Sequence, residues 1–259
     1  MTLIAEDVSV TLGRREVLGK LSFQARRGEL LIVVGPNGAG KTTLLKAIAC
    51  LVAHQGRLDW DGVAVGKLSA AARARTMAYL PQGHVAHWPL KARDVVTMGR
   101  APFASSFSRL SRADRDAVDE AIESVGAGAF AGRPITELSG GERARIMLAR
   151  ALSVGAPLLL ADEPVASLDP AHQLAVMAIL AAQARAGRLV LAVSHDLMLA
   201  ARFADRILVL SGGKAAAIGA PAQTLTAAIL RDIFEVEPLR LSAGGVSLEI
   251  PWQPAGPKS

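Results

Sequence analysis

The residues best suited to chemistry form one glycine-rich segment that ends in a lysine and two threonines. Residues 35–42 read Gly-Pro-Asn-Gly-Ala-Gly-Lys-Thr, which matches the pattern of a loop that cradles phosphates. The segment follows the apolar run 30–34 and precedes a helical pattern over about 41–52, the context that such a loop requires. The predicted nucleotide-binding residues are Gly35, Pro36, Asn37, Gly38, Ala39, Gly40, Lys41, Thr42 and Thr43.

Each residue type in this loop has a physical task. Glycines allow backbone dihedrals that turn successive N–H groups toward one anion, at a helix N-terminus whose dipole favours negative charge. Lys41 can then contact the β- and γ-phosphates, while Thr42 offers a hydroxyl to Mg²⁺ and Thr43 offers a further donor to phosphate. The alternative is a simple turn with a solvated lysine, and the flanking strand and helix make it the weaker interpretation.

Two adjacent acids end a second apolar run. Residues 158–161 are followed by Asp162 and Glu163, at the carboxyl end of a predicted strand, where open parallel sheets hold their ligands. We expect Asp162 to hold Mg²⁺ through its water shell and Glu163 to polarise the water that attacks a γ-phosphate. Alone, such a pair would be read as a solvated turn, but beside a phosphate loop it indicates a hydrolase.

A third segment lies upstream of these acids. Ser139, Gly140 and Gly141 can begin a helix with free N–H groups, which makes a second anion site on the chain. Residues 138–143 read Leu-Ser-Gly-Gly-Glu-Arg, and with the two segments above they make the chain resemble the ATP-binding-cassette (ABC) ATPases. The resemblance implies two copies that close head to tail, the signature of one capping ATP on the phosphate loop of the other. The signature residues would be Leu138, Ser139, Gly140, Gly141 and Glu142.

Three smaller matches to the same family complete the predicted site. By resemblance, Gln82 joins the Mg²⁺ and water shell and senses the membrane partner, Asp169 lies at the dimer interface, and His195 contacts the γ-phosphate. Taken alone, a histidine at the end of a strand is more often structural. The resemblance thus gives Glu163, His195 and Gln82 as catalytic residues, and Thr42, Gln82 and Asp162 as Mg²⁺ ligands.

The sequence departs from the family at the position that packs against the base. The family commonly stacks adenine on an aromatic residue in its first strands, and aligning residues 13–18 places Leu12 there. We expect adenine to pack on Leu12 through apolar contact alone, or another residue to serve. The preference for ATP over GTP is left open by this position.

Two further segments resemble one branch of the family. Residues 94–103 and 168–173 are similar to those of importers for iron-siderophore complexes, haem and vitamin B12, which implies transmembrane permease partners and, indirectly, a substrate-binding protein. His84 and His87 offer too few ligands for a closed metal site. By resemblance, their loop instead faces the membrane subunit, and Trp88 fills a groove of that subunit. One alternative is a soluble ABC ATPase of a nucleic-acid or iron–sulfur assembly. A second is a small-molecule kinase, but that interpretation leaves residues 138–141 without a role.

The elements that must position these residues alternate between strand and helix. Strands are predicted within 3–34 and at 56–60, 76–80, 158–161 and 189–193, helices at about 170–186, 196–203 and 221–235, and a hairpin over 206–219. This pattern predicts an α/β fold, and the resemblance makes it a P-loop NTPase of ABC type, with a mixed sheet core, an N-terminal antiparallel β part and an inserted α-helical subdomain. We expect one domain over 1–259, with the helical signature subdomain at about 84–154 and a C-terminal tail at 237–259, loosely ordered after 251.

The composition is that of a packed globular protein, with 51% hydrophobic and 20% charged residues. The formal net charge of +6 favours polyanions only weakly, and no nucleic-acid partner is expected. Cys50, the single cysteine, lies in the apolar run 47–52, which predicts burial and a reducing compartment. No segment supplies the ~20 apolar residues of a membrane-spanning helix, and no secretory signal is recognised, so we expect a cytoplasmic protein. The resemblance to transporter ATPases implies a peripheral place on the inner face of the cell membrane.

Overall fold

The structure of the protein is a computed structural model that describes residues 2–83, 89–103, 110–243 and 246–255. Its strands are β1 (Thr2–Leu12), β2 (Arg15–Arg26), β3 (Leu30–Val34), β4 (Gln55–Trp60), β5 (Val63–Ala64), β6 (Met77–Leu80), β7 (Leu158–Asp162), β8 (Leu189–Val193), β9 (Arg206–Ser211), β10 (Lys214–Gly219), β11 (Val236–Ala243) and β12 (Val246–Pro254). Its helices are α1 (Lys41–Ile48), α2 (Ala70–Thr76), α3 (Ala92–Thr97), α4 (Arg112–Ser124), α5 (Gly140–Ser153), α6 (Pro170–Arg185), α7 (Leu197–Phe203), α8 (Pro221–Thr224) and α9 (Ala227–Phe234). Short 3₁₀ turns lie at Val65–Lys67, Met98–Phe103, Gly128–Phe130 and Ile135–Glu137.

The N-terminal residues form an antiparallel sheet in the order β2-β1-β4-β5. A two-residue turn, Gly13-Arg14, joins β1 to β2, and Gly13 has a φ of 62°, a left-handed conformation that glycine adopts without strain. The prediction of several short strands over 3–34 is wrong in length, because β1 and β2 have 11 and 12 residues. The predicted antiparallel β part is confirmed.

A six-stranded sheet in the order β10-β9-β3-β8-β7-β6 forms the centre of the fold. Strands β9, β3, β8, β7 and β6 are parallel, and β10 is antiparallel to β9, so the predicted mixed sheet is confirmed. Every residue of β3, β7 and β8 is buried. Alternate residues of β3 enter two separate apolar cores, Leu30 and Ile32 on one face of the sheet and Leu31 and Val33 on the other. Layers of other elements therefore cover both faces.

The first helix is shorter than the sequence predicts. It ends at Ile48, and Cys50 adopts a left-handed φ of 55°, which stops helical propagation. Cys50 is only partly buried, and Leu51 is 60% exposed, so the predicted burial of this run is wrong beyond the helix. Helix α2 was not predicted. Its N-cap is Ser69, whose side chain accepts a hydrogen bond from the backbone N–H of Ala72.

Helices α3, α4 and α5 pack against one another and lie between β6 and β7 in the chain. Their shared apolar contacts include Val96, Val118 and Ile146, all buried. Arg100 ties the preceding 3₁₀ turn to α4 through a 2.9 Å bond from its Nε to Oδ1 of Asp114. Helical structure thus dominates the described part of the region 84–154, as predicted.

The C-terminal residues are more ordered than predicted. Strands β11 and β12 form a two-stranded antiparallel sheet in which Pro251 lies opposite Pro238 and Pro254 opposite Val236. A two-stranded sheet leaves one edge of each strand unpaired, so a proline that lacks an N–H donor is tolerated there. The prediction of a loosely ordered tail after 251 is therefore wrong for residues 251–254. Over the described ranges, no helix has the length and apolar character needed to cross a membrane.

Candidate active site

The glycine-rich loop connects buried β3 to the first turn of α1, as predicted. Gly40 precedes α1 with a φ of 97°, and a Cβ atom there would lie 2.6 Å from a methyl carbon of Leu18. A Cβ atom on Gly35 would collide with the backbone oxygen of Leu210. Both positions therefore need glycine, because the backbone passes too close to β2 and β9 for any side chain.

Lys41 lies within the curve of this loop and is 6% exposed. Its Nζ donates to the backbone oxygens of Gly35 at 2.8 Å and Pro36 at 2.9 Å. Burial lowers the pKa of Lys41, while the charges of Glu163 and Asp162 act in the opposite direction. An anion placed in the loop would offset this cost of burial, because it favours the charged ammonium.

Asp162 ends β7 and is 1% exposed. Its Oδ1 accepts a hydrogen bond from Oγ1 of Thr42 at 2.9 Å, and its Oδ2 accepts one from the hydroxyl of Tyr79 at 3.1 Å. Burial raises the pKa of Asp162, and these two hydrogen bonds act against the shift. Tyr79 was not among the predicted site residues, although its position near the end of β6, the strand beside β7, was a usable signal.

Glu163 follows directly, with a left-handed φ of 50°, and its carboxylate contacts both of the other predicted catalytic residues. Gln82 Nε2 donates to Oε2 at 2.7 Å, and Nε2 of His195 lies 2.6 Å from Oε1. Because a carboxylate accepts only, the imidazole donates in the second bond. The fold thus brings together three residues that are far apart in the sequence.

A cavity of about 250 Å³ adjoins the glycine-rich loop. Two of its lining residues, Arg15 and Val17, were not predicted, although their spacing places both side chains on one face of β2. Leu12 lies opposite Arg15 in the β1–β2 pairing and is 46% exposed, but it does not line the cavity. The lining residues are Arg15, Val17, Asn37, Gly38, Gly40, Lys41, Thr42, Thr43, Glu163 and His195.

The signature segment begins α5. Ser139 accepts a hydrogen bond from the backbone of Glu142 at 3.2 Å, and the carboxylate of Glu142 accepts one from the backbone of Ser139 at 2.9 Å. This reciprocal arrangement is a capping box, and its hydrogen bonds lower the pKa of Glu142. Leu138 is buried, whereas Gly140 lies at the surface.

Asp169 caps the next long helix, α6, and accepts from the backbone N–H of His172 at 3.1 Å. A second cavity, of about 320 Å³, lies between this region, the signature and the residues after β6. It is lined by Gln82, Gly83, Gly140, Arg143, Ala166, Ser167 and Leu168. The signature therefore borders a cavity other than the one beside the phosphate loop.

The loop that contains His84, His87 and Trp88 lies outside the described residues. Among the residues that the structure does describe, no group of three or more His, Cys, Asp or Glu side chains is arranged to hold a metal ion.

Comparison with known proteins places this geometry in a family. A family model described as ABC transporter matches residues 18–166. The hemin import ATP-binding protein of Rhodococcus jostii is 43% identical over 256 residues, which cover 97% of this chain and 86% of that protein. The chain belongs to the ABC transporter family. ATP-binding proteins of this family are ATPases, so the chain is an ABC-type ATPase.

Other relatives place this ABC ATPase in the branch that its sequence resembles. The hemin import ATP-binding protein of Streptomyces coelicolor is 45% identical, covering 89% of this chain and 82% of that protein. The iron(3+)-hydroxamate import ATP-binding protein of Bacillus subtilis is 37% identical, covering 91% and 88%. The resemblance to metal-chelate importers is thereby confirmed.

Solved structures agree on the fold of this ABC ATPase. A chain of an inward-facing transporter described as being of the metal-chelate type superposes with a TM-score of 0.84 at 24% identity, covering 97% of each chain. A dimeric ATP-binding cassette in a post-hydrolysis state, bound to ADP and Pi, gives a TM-score of 0.73 at 25% identity, covering 85% of this chain and 98% of that one.

Proposed function

We propose that this ATPase is the energy-supplying subunit of an importer for a metal chelate of the iron-siderophore, haem or cobalamin type. The observation that carries the hydrolytic part of the proposal is the carboxylate of Glu163, held by Gln82 and His195 beside the cavity of the phosphate loop. The relatives support the cargo class. The named relatives import hemin and iron(3+)-hydroxamate, and a cobalamin import ATP-binding protein of Halobacterium salinarum is 41% identical over 91% of this chain. These names support import over the soluble, non-transport alternative.

ATP binding rests on the loop over 35–42. Its backbone N–H groups and Lys41 would hold the β- and γ-phosphates, with Thr43 as a further donor. The base would lie toward the N-terminal sheet, where Arg15 and Val17 line the cavity. Leu12 pairs with Arg15 across the two strands.

The residues around Asp162 fit a magnesium ion. Carboxylate and hydroxyl oxygens are ligands that Mg²⁺ prefers. Oδ1 of Asp162 and Oγ1 of Thr42 lie 2.9 Å apart. Burial raises the pKa of Asp162, so a cation would stabilise its charged form. Thr42, Asp162 and Gln82 would hold the ion, which supplies charge neutralisation for the β- and γ-phosphates.

In the hydrolytic step, Glu163 would accept a proton from the attacking water. His195 lies 2.6 Å from this carboxylate and would orient it and contact the γ-phosphate. Gln82 holds the other oxygen of Glu163 at 2.7 Å and would align the water. Because Gln82 lies in the loop after β6, its position would also respond to a partner that contacts that loop.

A second copy of the chain would complete each site. The signature, Leu138 to Glu142, borders a cavity other than that of the phosphate loop, so one copy presents two separate half-sites. In a head-to-tail dimer the N-terminal turn of α5 would cap the γ-phosphate of the other copy, with Asp169 at the interface. A related ATP-binding cassette is dimeric in its post-hydrolysis state.

The remaining partners follow from the same proposal. We propose one domain over 1–259, with residues of about 84–154 as the helical signature subdomain that passes dimer closure to transmembrane permease subunits. A substrate-binding protein would deliver the chelate to the permease. The subunit would lie in the cytoplasm on the inner face of the membrane, with no nucleic acid as partner.

Co-purification tests the transport assignment. The full chain, carrying an affinity tag, is purified from solubilised membranes, and the subunits that accompany it are identified. We expect a multi-helix permease in the purified complex, and ATP hydrolysis that increases when the permease is reconstituted with its chelate and binding protein. Recovery of a soluble protein assembly without a permease would refute the proposal.

A further inference from the structure

A histidine that the sequence analysis did not assign is bound to the capping residue of α6. Nδ1 of His172 lies 2.6 Å from Oδ2 of Asp169, and the backbone N–H of His172 donates to Oδ1 at 3.1 Å. The backbone bond and then the ring bond lower the pKa of Asp169, so its carboxylate is ionised and accepts only. Nδ1 therefore carries the proton, and the ring is fixed in orientation by Asp169.

The other side of the same ring covers Gly141 of the signature. A Cβ atom on Gly141 would lie 2.6 Å from Nε2 and 2.7 Å from Cγ of His172, closer than side-chain atoms pack. Gly141 is buried in the first turn of α5, and it needs glycine here because of the ring and not because of its own backbone. The imidazole of His172 thus fills the space between the first turns of α5 and α6.

This contact lies at a boundary that is otherwise incompletely packed. The cavity of about 320 Å³ separates Gly140 and Arg143 of α5 from residues 166–168. His172 does not line that cavity, but its ring contacts Gly141, the neighbour of the lining residue Gly140. The side chain of His172 therefore connects the signature to Asp169, the residue at which the loop ends.

We propose that His172 is a positioning residue for ATP hydrolysis. It fixes the distance between the signature segment and Asp169 of the same copy. The signature and Asp169 then contact the second copy with that spacing. The inference rests on the proposed head-to-tail dimer. Since a misplacement of about 1 Å can slow a reaction by about 100-fold, a residue that sets this spacing controls the rate without contacting ATP.

Replacement of the histidine separates positioning from nucleotide binding. In His172→Ala we expect kcat to decrease by about tenfold or more, while the affinity of the monomer for a fluorescent ATP analogue is unchanged. In a Glu163→Gln background, ATP-driven dimerisation measured by sedimentation should weaken by a similar factor. His172→Gln keeps an amide donor for Asp169 and should retain kcat within about threefold of the parent. Leu174→Ala, an exposed position on the same helix, is the matched control and should change neither quantity.

A double-mutant cycle tests the contact itself. Gly141→Ala should slow hydrolysis because the added methyl displaces the ring, and adding His172→Ala should cause no further loss, since the obstacle is then gone. Additive losses, or a glutamine variant as slow as the alanine variant, would overturn the inference. If the Glu163→Gln parent itself fails to dimerise with ATP, the proposed dimer is wrong and the inference fails with it. If the parent dimerises and His172→Ala behaves identically, only the role of His172 is wrong.

Discussion

Tyr79→Phe removes one atom from the predicted magnesium site and leaves the ring in place. The hydroxyl of Tyr79 donates to Oδ2 of Asp162 at 3.1 Å, and Asp162 is 1% exposed. A hydrogen bond to a charged group contributes about 1.5–3 kcal/mol, and the 3.1 Å length, greater than that of a short O–H···O⁻ bond, favours the lower value. We therefore expect a loss of about 1.5 kcal/mol in folding stability, measured by urea unfolding without Mg²⁺.

The same substitution should weaken the use of Mg²⁺. The hydroxyl fixes one carboxylate oxygen while the other faces Thr42, and loss of such a supporting bond costs about tenfold or more in metal affinity. In steady-state hydrolysis we expect the Mg²⁺ concentration for half-maximal rate to increase by about tenfold at saturating ATP. The rate at saturating Mg²⁺ should stay within about threefold of the parent, because Glu163 keeps both of its partners.

A matched control removes a hydroxyl far from the site. Thr97 on α3 donates its side chain to the backbone oxygen of Arg93 at 2.9 Å, and Thr97→Val should leave the Mg²⁺ dependence unchanged. If Tyr79→Phe also leaves that dependence within about twofold of the parent, the reasoning that Tyr79 orients a metal-binding carboxylate is refuted.

Four further outcomes are expected. Glu163→Gln should keep ATP binding and slow hydrolysis by about 100-fold or more; normal turnover would refute its role as base. Lys41→Ala should weaken ATP binding itself by about tenfold or more, measured by equilibrium titration. Arg15→Ala should weaken binding of ATP but not of tripolyphosphate, which lacks the base, and Arg14→Ala, its neighbour in the turn, should affect neither; equal losses for both ligands would instead place Arg15 on the phosphates. Burial raises the pKa of Tyr79, the single tyrosine, so the folded protein should show no tyrosinate absorbance near the usual pKa of about 10, and stability should fall as pH rises above that value. Tyrosinate formation near pH ~10 in the folded state would contradict this.

Features of the site that depend on short stretches of chain could be predicted from the sequence. The loop over 35–42 could be placed because its pattern, the preceding strand and the following helix are contiguous. Asp162 and Glu163 could be placed because a buried strand that ends in acids indicates a ligand edge. The catalytic roles of Gln82 and His195 were expected only from the family, and their contacts with the Glu163 carboxylate were not predicted.

What the sequence did not predict depends on contacts between distant residues. The placement of Arg15 depends on the approach of β2 to the start of α1, and that of Tyr79 on the pairing of β6 with β7. The β11–β12 hairpin was missed because prolines argue against strands in general, although an unpaired edge tolerates them. The contact between Gly141 and His172 joins two helices whose crossing no local pattern determines.

The division of the cavity between two sheets has an evolutionary consequence. Phosphate contacts come from the loop after β3 in the central sheet, whereas Arg15 and Val17 belong to β2 in the N-terminal sheet. With the base placed against β2 as proposed, substitutions in β2 would alter which base is accepted and leave the hydrolytic residues untouched. Selection on nucleotide choice and selection on turnover would then act on different sheets of this chain.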